Sequence, residues 1–217
     1  MNKIFSDQER EAFYEVLYSR RDVRRHFLNK VIPDDVLARI LNAAHHAPSV
    51  GLSQPWNFIL VKQPHIRQRV FEAFTLANEE ARQMFEGDRR EQYSSLKLEG
   101  ILETPLNILV TCDRTRGGNV VLGKTHQPEM DMYSTVCAVQ NLWLAARAEN
   151  VGVGWVSIVQ PQALADIFNL PDHVKPIAYL CVGYVEKFAD KPELATCGWE
   201  KQLSLDEMVF EDGWPGS

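Results

Sequence analysis

Long apolar runs are missing from this sequence. None approaches the ~18 residues that a membrane-spanning helix requires. The longest, such as WNFILV and LNILVTC, have the length of strands. The N-terminal MNKIFSDQER turns polar and acidic before an apolar signal core can form, so no export signal is expected. Cysteine is scarce: Cys112, Cys137, Cys181 and Cys197 show no CxxC spacing, which argues against zinc-ribbon and dithiol redox motifs. Three of the four fall in apolar runs, where free buried thiols are expected, and a reducing cytoplasm is the expected location. HExxH and GxSxG patterns are absent, so the hydrolase motifs they mark are not expected. VGVGWVS carries a GxG without the third glycine, which rejects a dinucleotide fingerprint. His45 and His46 are adjacent and would point about 100° apart on a helix, so no metal is expected. Net positive charge is lacking too: the balance is -6, which disfavours nucleic acid as the main partner.

What is present is an ordinary globular composition in 217 residues, 45% apolar and 24% charged. That suits one domain, residues 1–217, with a sizeable core. Ser6-Asp7-Gln8-Glu9 has the pattern of a capping box and opens a first helix with Phe13, Val16 and Leu17 on one face. Pro33 starts a second, where Leu37, Ile40, Leu41 and Ala44 recur at helical spacing. A buried strand at WNFILV follows the SVGLSQP loop, and a helix is predicted from Pro64 to about Gly87. Phe85 to Gly100 is polar without an apolar stripe and reads as a mobile helical cover. LNILVTC is a second strand. Asp113 to Glu129 reads as a long loop of the kind that is functional or disordered. Asp131 to Glu149 is a helix apolar over most of its circumference, fitting a central position or burial against a partner chain. VGVGWVSIV and PIAYLCVGYV are two more strands around a short helix at Gln162 to Phe168. The tail from Glu186 carries Trp199, Val209, Phe210 and Trp214 and is expected to dock on something. These elements predict an α+β fold with four or more strands.

One stretch concentrates charge. SRRDVRRHF, Ser19 to Phe27, places Arg20, Arg21, Arg24 and Arg25 around Asp22. Guanidinium groups match phosphate oxygens bidentately, and a turn after a helix can wrap one anion. By spacing alone the run reads equally as a phosphate site or as surface ion pairs. Gly152 and Gly154 would let backbone and ligand approach closely. Ser157 is a hydroxyl at a strand end.

In order, the arginine-rich turn, a PSxxxxQPW loop (Pro48, Ser49, Gln54, Pro55, Trp56), a long central helix, a GxGW strand and a tail resemble the flavin-binding nitroreductase fold. That resemblance implies a central, mostly antiparallel sheet flanked by helices. It also implies FMN at a homodimer interface, its phosphate on the arginine turn, and a C-terminal tail, about 186–217, exchanged with the partner. Longer blocks resemble one branch more closely: RRDVRRHF, APSVGLSQPWNF, SLKLEGI, TCDRTRGGNVVLGKTH, MDMYSTVCAVQNLWLAARAENVGVGWVSI and FEDGW are similar to the 5,6-dimethylbenzimidazole synthase (BluB) family, from about Phe5 to Trp214. In that family reduced FMN is the substrate. Oxygen attacks it, and the ring is fragmented to 5,6-dimethylbenzimidazole, the lower ligand of vitamin B12, and erythrose 4-phosphate.

The resemblance assigns Asp22 and Ser157 to the chemistry. Asp22 would be a base or an orienter near the flavin, and Ser157 a hydrogen-bond donor near flavin N5. Nitroreductases commonly carry a small hydroxyl residue where Asp22 stands. Arg20, Arg21 and Arg24 are carried over to the phosphate, with Val23, Pro48, Ser49, Gly51 and Gly154 along the flavin. Lys201 is the candidate for a C-terminal phosphate contact. A lid is implied at about 85–100, with Met84 and Phe85 in it, to seal reduced flavin and oxygen from water. No nicotinamide site is visible, so a separate flavin reductase is expected to supply FMNH2. Two rivals remain: an NAD(P)H-dependent nitroreductase or flavin reductase with an open flavin face, and a non-catalytic flavin carrier.

Overall fold

The computed structural model describes residues 3–214. Residues 1–2 and residues 215–217, the end of the expected tail, lie outside the described residues. Helix α1, Asp7–Ser19, begins at the expected capping box: Ser6 Oγ accepts the Glu9 N–H at 3.3 Å and Glu9 accepts the Ser6 N–H at 2.9 Å. None of its residues is buried, and Phe13, Tyr14 and Tyr18 stand exposed along it. Helix α2, Asp34–His45, follows Pro33 and buries Val36, Leu37, Ile40 and Ala44. Strand β1 is Trp56–Val61, as expected, but its four middle residues are only half-buried because β1 is an edge of the sheet. Helix α3, Pro64–Gln83, stops four residues short of Gly87. The polar segment after it holds α4, Gly87–Ser95, where only Tyr93 is buried.

Strand β2, Leu106–Asp113, lies inside the sheet and is buried almost throughout. Helix α5, Met130–Ala148, strand β3, Val151–Val156, helix α6, Pro161–Phe168, and strand β4, Val174–Tyr184, complete the core, followed by the short α7, Glu193–Thr196. The order is β1-β2-β4-β3, and every pair is antiparallel. Alternation along the strands divides the core. Ile108, Val110, Leu180 and Val182 face α2 and α5, while Leu109, Tyr179 and Cys181 face α3 and α6. With helices on both faces, the inner strands read as continuous apolar runs. The fold is therefore the expected α+β arrangement of a central antiparallel sheet flanked by helices.

The cysteines divide differently from expectation. Cys112 and Cys181 are buried, whereas Cys137 and Cys197 are exposed. Cys137 sits in an apolar run, but on the outward side of α5 beside Tyr133 and Val136, which are also exposed. An apolar run predicts an apolar helix, not which face meets this chain's own core. Among the described residues no helix is long and apolar enough to cross a membrane, and no group of three or more metal-ligating side chains is found.

Candidate active site

The arginine turn is fastened to the free edge of β3. β3 pairs with β4 on one side only, so the Val153 and Trp155 backbone groups face outward on the other. Val23 N–H donates to the Val153 carbonyl at 3.0 Å. The Trp155 N–H donates to Asp22 Oδ1 at 3.0 Å. Between these two bonds sits Gly154. A Cβ there would lie 2.1 Å from the Val23 carbonyl oxygen, far inside van der Waals contact. What Gly154 admits is thus the backbone of the turn itself, carrying Asp22 with it. At Gly152 a Cβ would meet Val185 at 2.8 Å and the Val23 side chain at 3.3 Å.

Asp22 has both oxygens engaged. Oδ2 accepts from Arg24 Nη2 at 2.5 Å, and both side chains are partly buried. Asp22 and Arg24 thus form an ion pair within the turn. Arg21 is folded back: Nη1 donates to the Tyr18 and Arg20 carbonyls at 2.7 Å each, and Nη2 to the Asp190 carbonyl. Arg20 lies over the Trp143 ring at 4.8 Å. Arg25 Nε donates to Glu193 at 3.0 Å.

A cleft of about 540 Å³ opens against this turn, lined by residues from Arg20 to His26 and by Lys187 and Lys191. The buried Nε–H groups of Arg21 and Arg24 have no acceptor among the described residues. Buried donors are rarely left unpaired, and a phosphate group presents several acceptor oxygens to such donors. The cleft's cationic lining on an acidic chain, together with those two donors, fits the phosphate end of FMN. Lys201 does not line the cleft; its neighbour Gln202 does, and the lysine side chain is exposed.

Ser157 is exposed and lies two residues past Trp155, at the same end of β3 as Asp22. Pro48, Ser49 and Gly51 are elsewhere. Ser49 Oγ accepts the Gln54 N–H at 3.0 Å, and the Val50 N–H donates to Ser134 Oγ near the start of α5. The arginine turn meets α5 at Trp143, whose indole donates to the Arg21 carbonyl at 3.2 Å. Nine residues at ~1.5 Å each separate those points by about 13 Å along the helix. Leu52 and Gln54 hold positive φ, 52° and 45°, which non-glycine residues adopt at a cost. The long loop from Asp113 to Glu129 is anchored, not loose. Arg116 reaches the Gln54 and Trp56 carbonyls at 2.9 Å, and buried Asp131 binds Lys124 and Arg114.

Of the residues expected in a lid, Met84 is exposed and Phe85 is partly buried, stacked on Tyr93 at 5.0 Å. Sequence reasoning missed Lys187 and Lys191, which the chain carries back past β4 to the turn. Their basic character was visible, but nothing local marks the return.

The chain belongs to the nitroreductase family, whose family model matches residues 17–184. It is an oxidoreductase. A 5,6-dimethylbenzimidazole synthase of Rhodospirillum rubrum is 39% identical over 92% of this chain and 94% of its own length. One of Rhodobacter capsulatus is also 39% identical, over 93% and 97%. Among solved structures, an iodotyrosine deiodinase bound to FMN and 3-iodo-L-tyrosine superposes with a TM-score of 0.74 at 19% identity, over 93% of this chain and 100% of that one. A nitroreductase-like protein from Bacillus cereus gives 0.65 at 23% identity, over 98% and 100%. These two speak to the fold alone.

Proposed function

We propose that this chain catalyses the formation of 5,6-dimethylbenzimidazole from reduced FMN and oxygen, releasing erythrose 4-phosphate. The observation that carries the reading is the carboxylate of Asp22 clamped between the β3 edge and Arg24 inside a cationic turn. The resemblance places a small hydroxyl residue here in nitroreductases, where this chain carries an acid. The similarity to named synthases over nearly the whole length supports the same reading.

The turn and Lys187 and Lys191 would hold the FMN phosphate, with the Nε–H groups of Arg21 and Arg24 as donors. Reduced FMN, when bound, supplies the electrons and the carbon skeleton of the product. Asp22, fixed by Trp155, would orient a flavin group or take a proton from it. Ser157 would donate a hydrogen bond at the end of β3. Val23 and Gly154 set the distance of the turn from the strand. The segment 85–100, with Met84 and Phe85, would exclude water.

We also propose a homodimer. Tyr133, Val136 and Cys137 form an exposed apolar stripe on α5, Phe13, Tyr14 and Tyr18 another on α1, and Val209, Phe210 and Trp214 of the tail are exposed. A second copy would cover them, and its Pro48–Gly51 loop would complement the arginine turn of the first. Thiol chemistry tests this. Burial pushes the Cys181 thiol up to about 12 and raises that of Cys112, so both stay protonated and unreactive at neutral pH. A maleimide is expected to label Cys197 in the native protein and Cys137 only on dissociation. Rapid labelling of Cys137 in the native protein would argue against burial of this face.

The four free thiols suit a reducing cytoplasm. Electrons are proposed to come from a separate flavin reductase. With NADH and FMN alone, the protein is expected to make no 5,6-dimethylbenzimidazole. Adding an unrelated flavin reductase in air should start production. NADH consumption by the protein alone would favour the nitroreductase reading, and no oxygen-dependent change would favour the carrier.

A further inference from the structure

Helix α4 has little hold on the body of the protein. It is strongly polar, and Tyr93 is its only buried residue, with the phenol donating to Asn78 Oδ1 of α3 at 2.7 Å. Arg90 also donates to the Phe85 carbonyl at 2.6 Å and reaches that of Gln83 at 3.4 Å, and Tyr93 stacks on Phe85; the further contacts come from the segment after β4. Trp199 meets Phe85 edge-on at 5.3 Å and Tyr93 at 6.0 Å. The Arg89 guanidinium carbon lies 3.5 Å from the centre of the Trp199 ring. Gln92 Nε2 donates to the Cys197 carbonyl at 3.1 Å.

The same segment is fastened to the arginine turn at its other end. The Glu186 N–H donates to the His26 carbonyl at 3.0 Å, Arg21 reaches the Asp190 carbonyl, and Arg25 pairs with Glu193. Arg147 lies over Phe188 at 4.1 Å. Lys187, Lys191 and Thr196 line the cleft between the two ends. Seventeen residues, 186–202, therefore touch both the anion site and α4, the α4 contacts coming from Cys197 and Trp199.

We propose that residues 186–202 are a strap tying α4 to the arginine cleft, and that Trp199 is the latch that holds α4 closed. Trp199 is a positioning residue: it acts through Phe85, Arg89 and Tyr93. The proposal deepens the synthase reading and rests on it for its catalytic consequence. An aromatic stack plus a cation over a ring is worth enough that its loss should open α4 about tenfold more often.

Limited trypsin digestion of the full-length, flavin-free protein measures that opening at Arg89 and Arg90. Trp199→Ala is expected to raise cleavage there about tenfold, with other sites unchanged, and Trp199→Phe to fall between. In the flavin assay, Trp199→Ala is expected to shift the outcome from ring fragmentation to simple reoxidation. There, two electrons and two protons pass from reduced flavin to oxygen, giving hydrogen peroxide and intact FMN. Unchanged cleavage at Arg89 and Arg90 would overturn the latch. If Trp199→Ala unfolds the whole chain, Arg89→Met takes its place, with cleavage read at Arg90 and the same two outcomes. The digestion needs no flavin. A wild-type protein that makes no 5,6-dimethylbenzimidazole would sink the synthase reading and leave the digestion to decide the latch.

Discussion

Replacing Asp22 with asparagine is expected to cut 5,6-dimethylbenzimidazole formation by at least ~100-fold, the lower end of what a positioned acid–base group contributes. The substitution keeps the shape. An asparagine oxygen can still accept the Trp155 N–H that Asp22 Oδ1 accepts at 3.0 Å, so the turn should stay on β3. What is lost is the charge that holds Arg24 and the capacity to take a proton. FMN affinity, which we propose rests mainly on Arg20, Arg21 and Arg24, should change by only a few-fold. A rate within threefold of wild type would remove Asp22 from the chemistry. A large loss of affinity with the rate per bound flavin unchanged would make it a binding residue only.

Gly154→Ala is expected to be the most damaging single-methyl change in the molecule. The added Cβ would stand 2.1 Å from the Val23 carbonyl oxygen and 3.6 Å from Asp22 Oδ1. The first neighbour is backbone, so no rotamer relieves the clash; the turn must leave the strand. Both the Val23–Val153 bond and the Asp22–Trp155 bond then lengthen. Overpacking of this kind costs about 3 kcal/mol, which for a chain of this size lowers the melting temperature by roughly 6–12 °C. Flavin binding should fall with it. Gly152→Ala meets two valine side chains, at 2.8 and 3.3 Å, and the Gly183 carbonyl oxygen only at 3.3 Å, and a milder loss is expected. Gly213→Ala has open space around it and serves as the control. A melting curve of Gly154→Ala that overlays the wild type would contradict the close packing of the turn.

Much of this was legible in the sequence. The capping box at Ser6, the strand at Trp56–Val61 and the central helix follow from local patterns, and local patterns are what a sequence displays. The resemblance drew the arginine turn and the GxGW strand into one site, and the structure adds the contact: a glycine on a free sheet edge, with the acid bonded one residue on. The placement of Lys187 and Lys191 on the cleft and of Trp199 against α4 was not legible. Each depends on where the chain returns after β4, and such a return has no periodicity. The buried Asp131 with Lys124 and Arg114 was hidden for the same reason, since an ion pair formed across a loop resembles any scatter of charge. Cys137 went the other way. Its run was read correctly as apolar, yet that face of α5 points out of this chain.

The central claim is that flavin is consumed, not cycled. The measurement that tests it most directly is a single turnover: reduced FMN bound to the protein is mixed with oxygen, and both recovered FMN and 5,6-dimethylbenzimidazole are quantified by chromatography. The expected result is that FMN disappears one for one with the appearance of the benzimidazole. Quantitative return of FMN, with no benzimidazole, would contradict it.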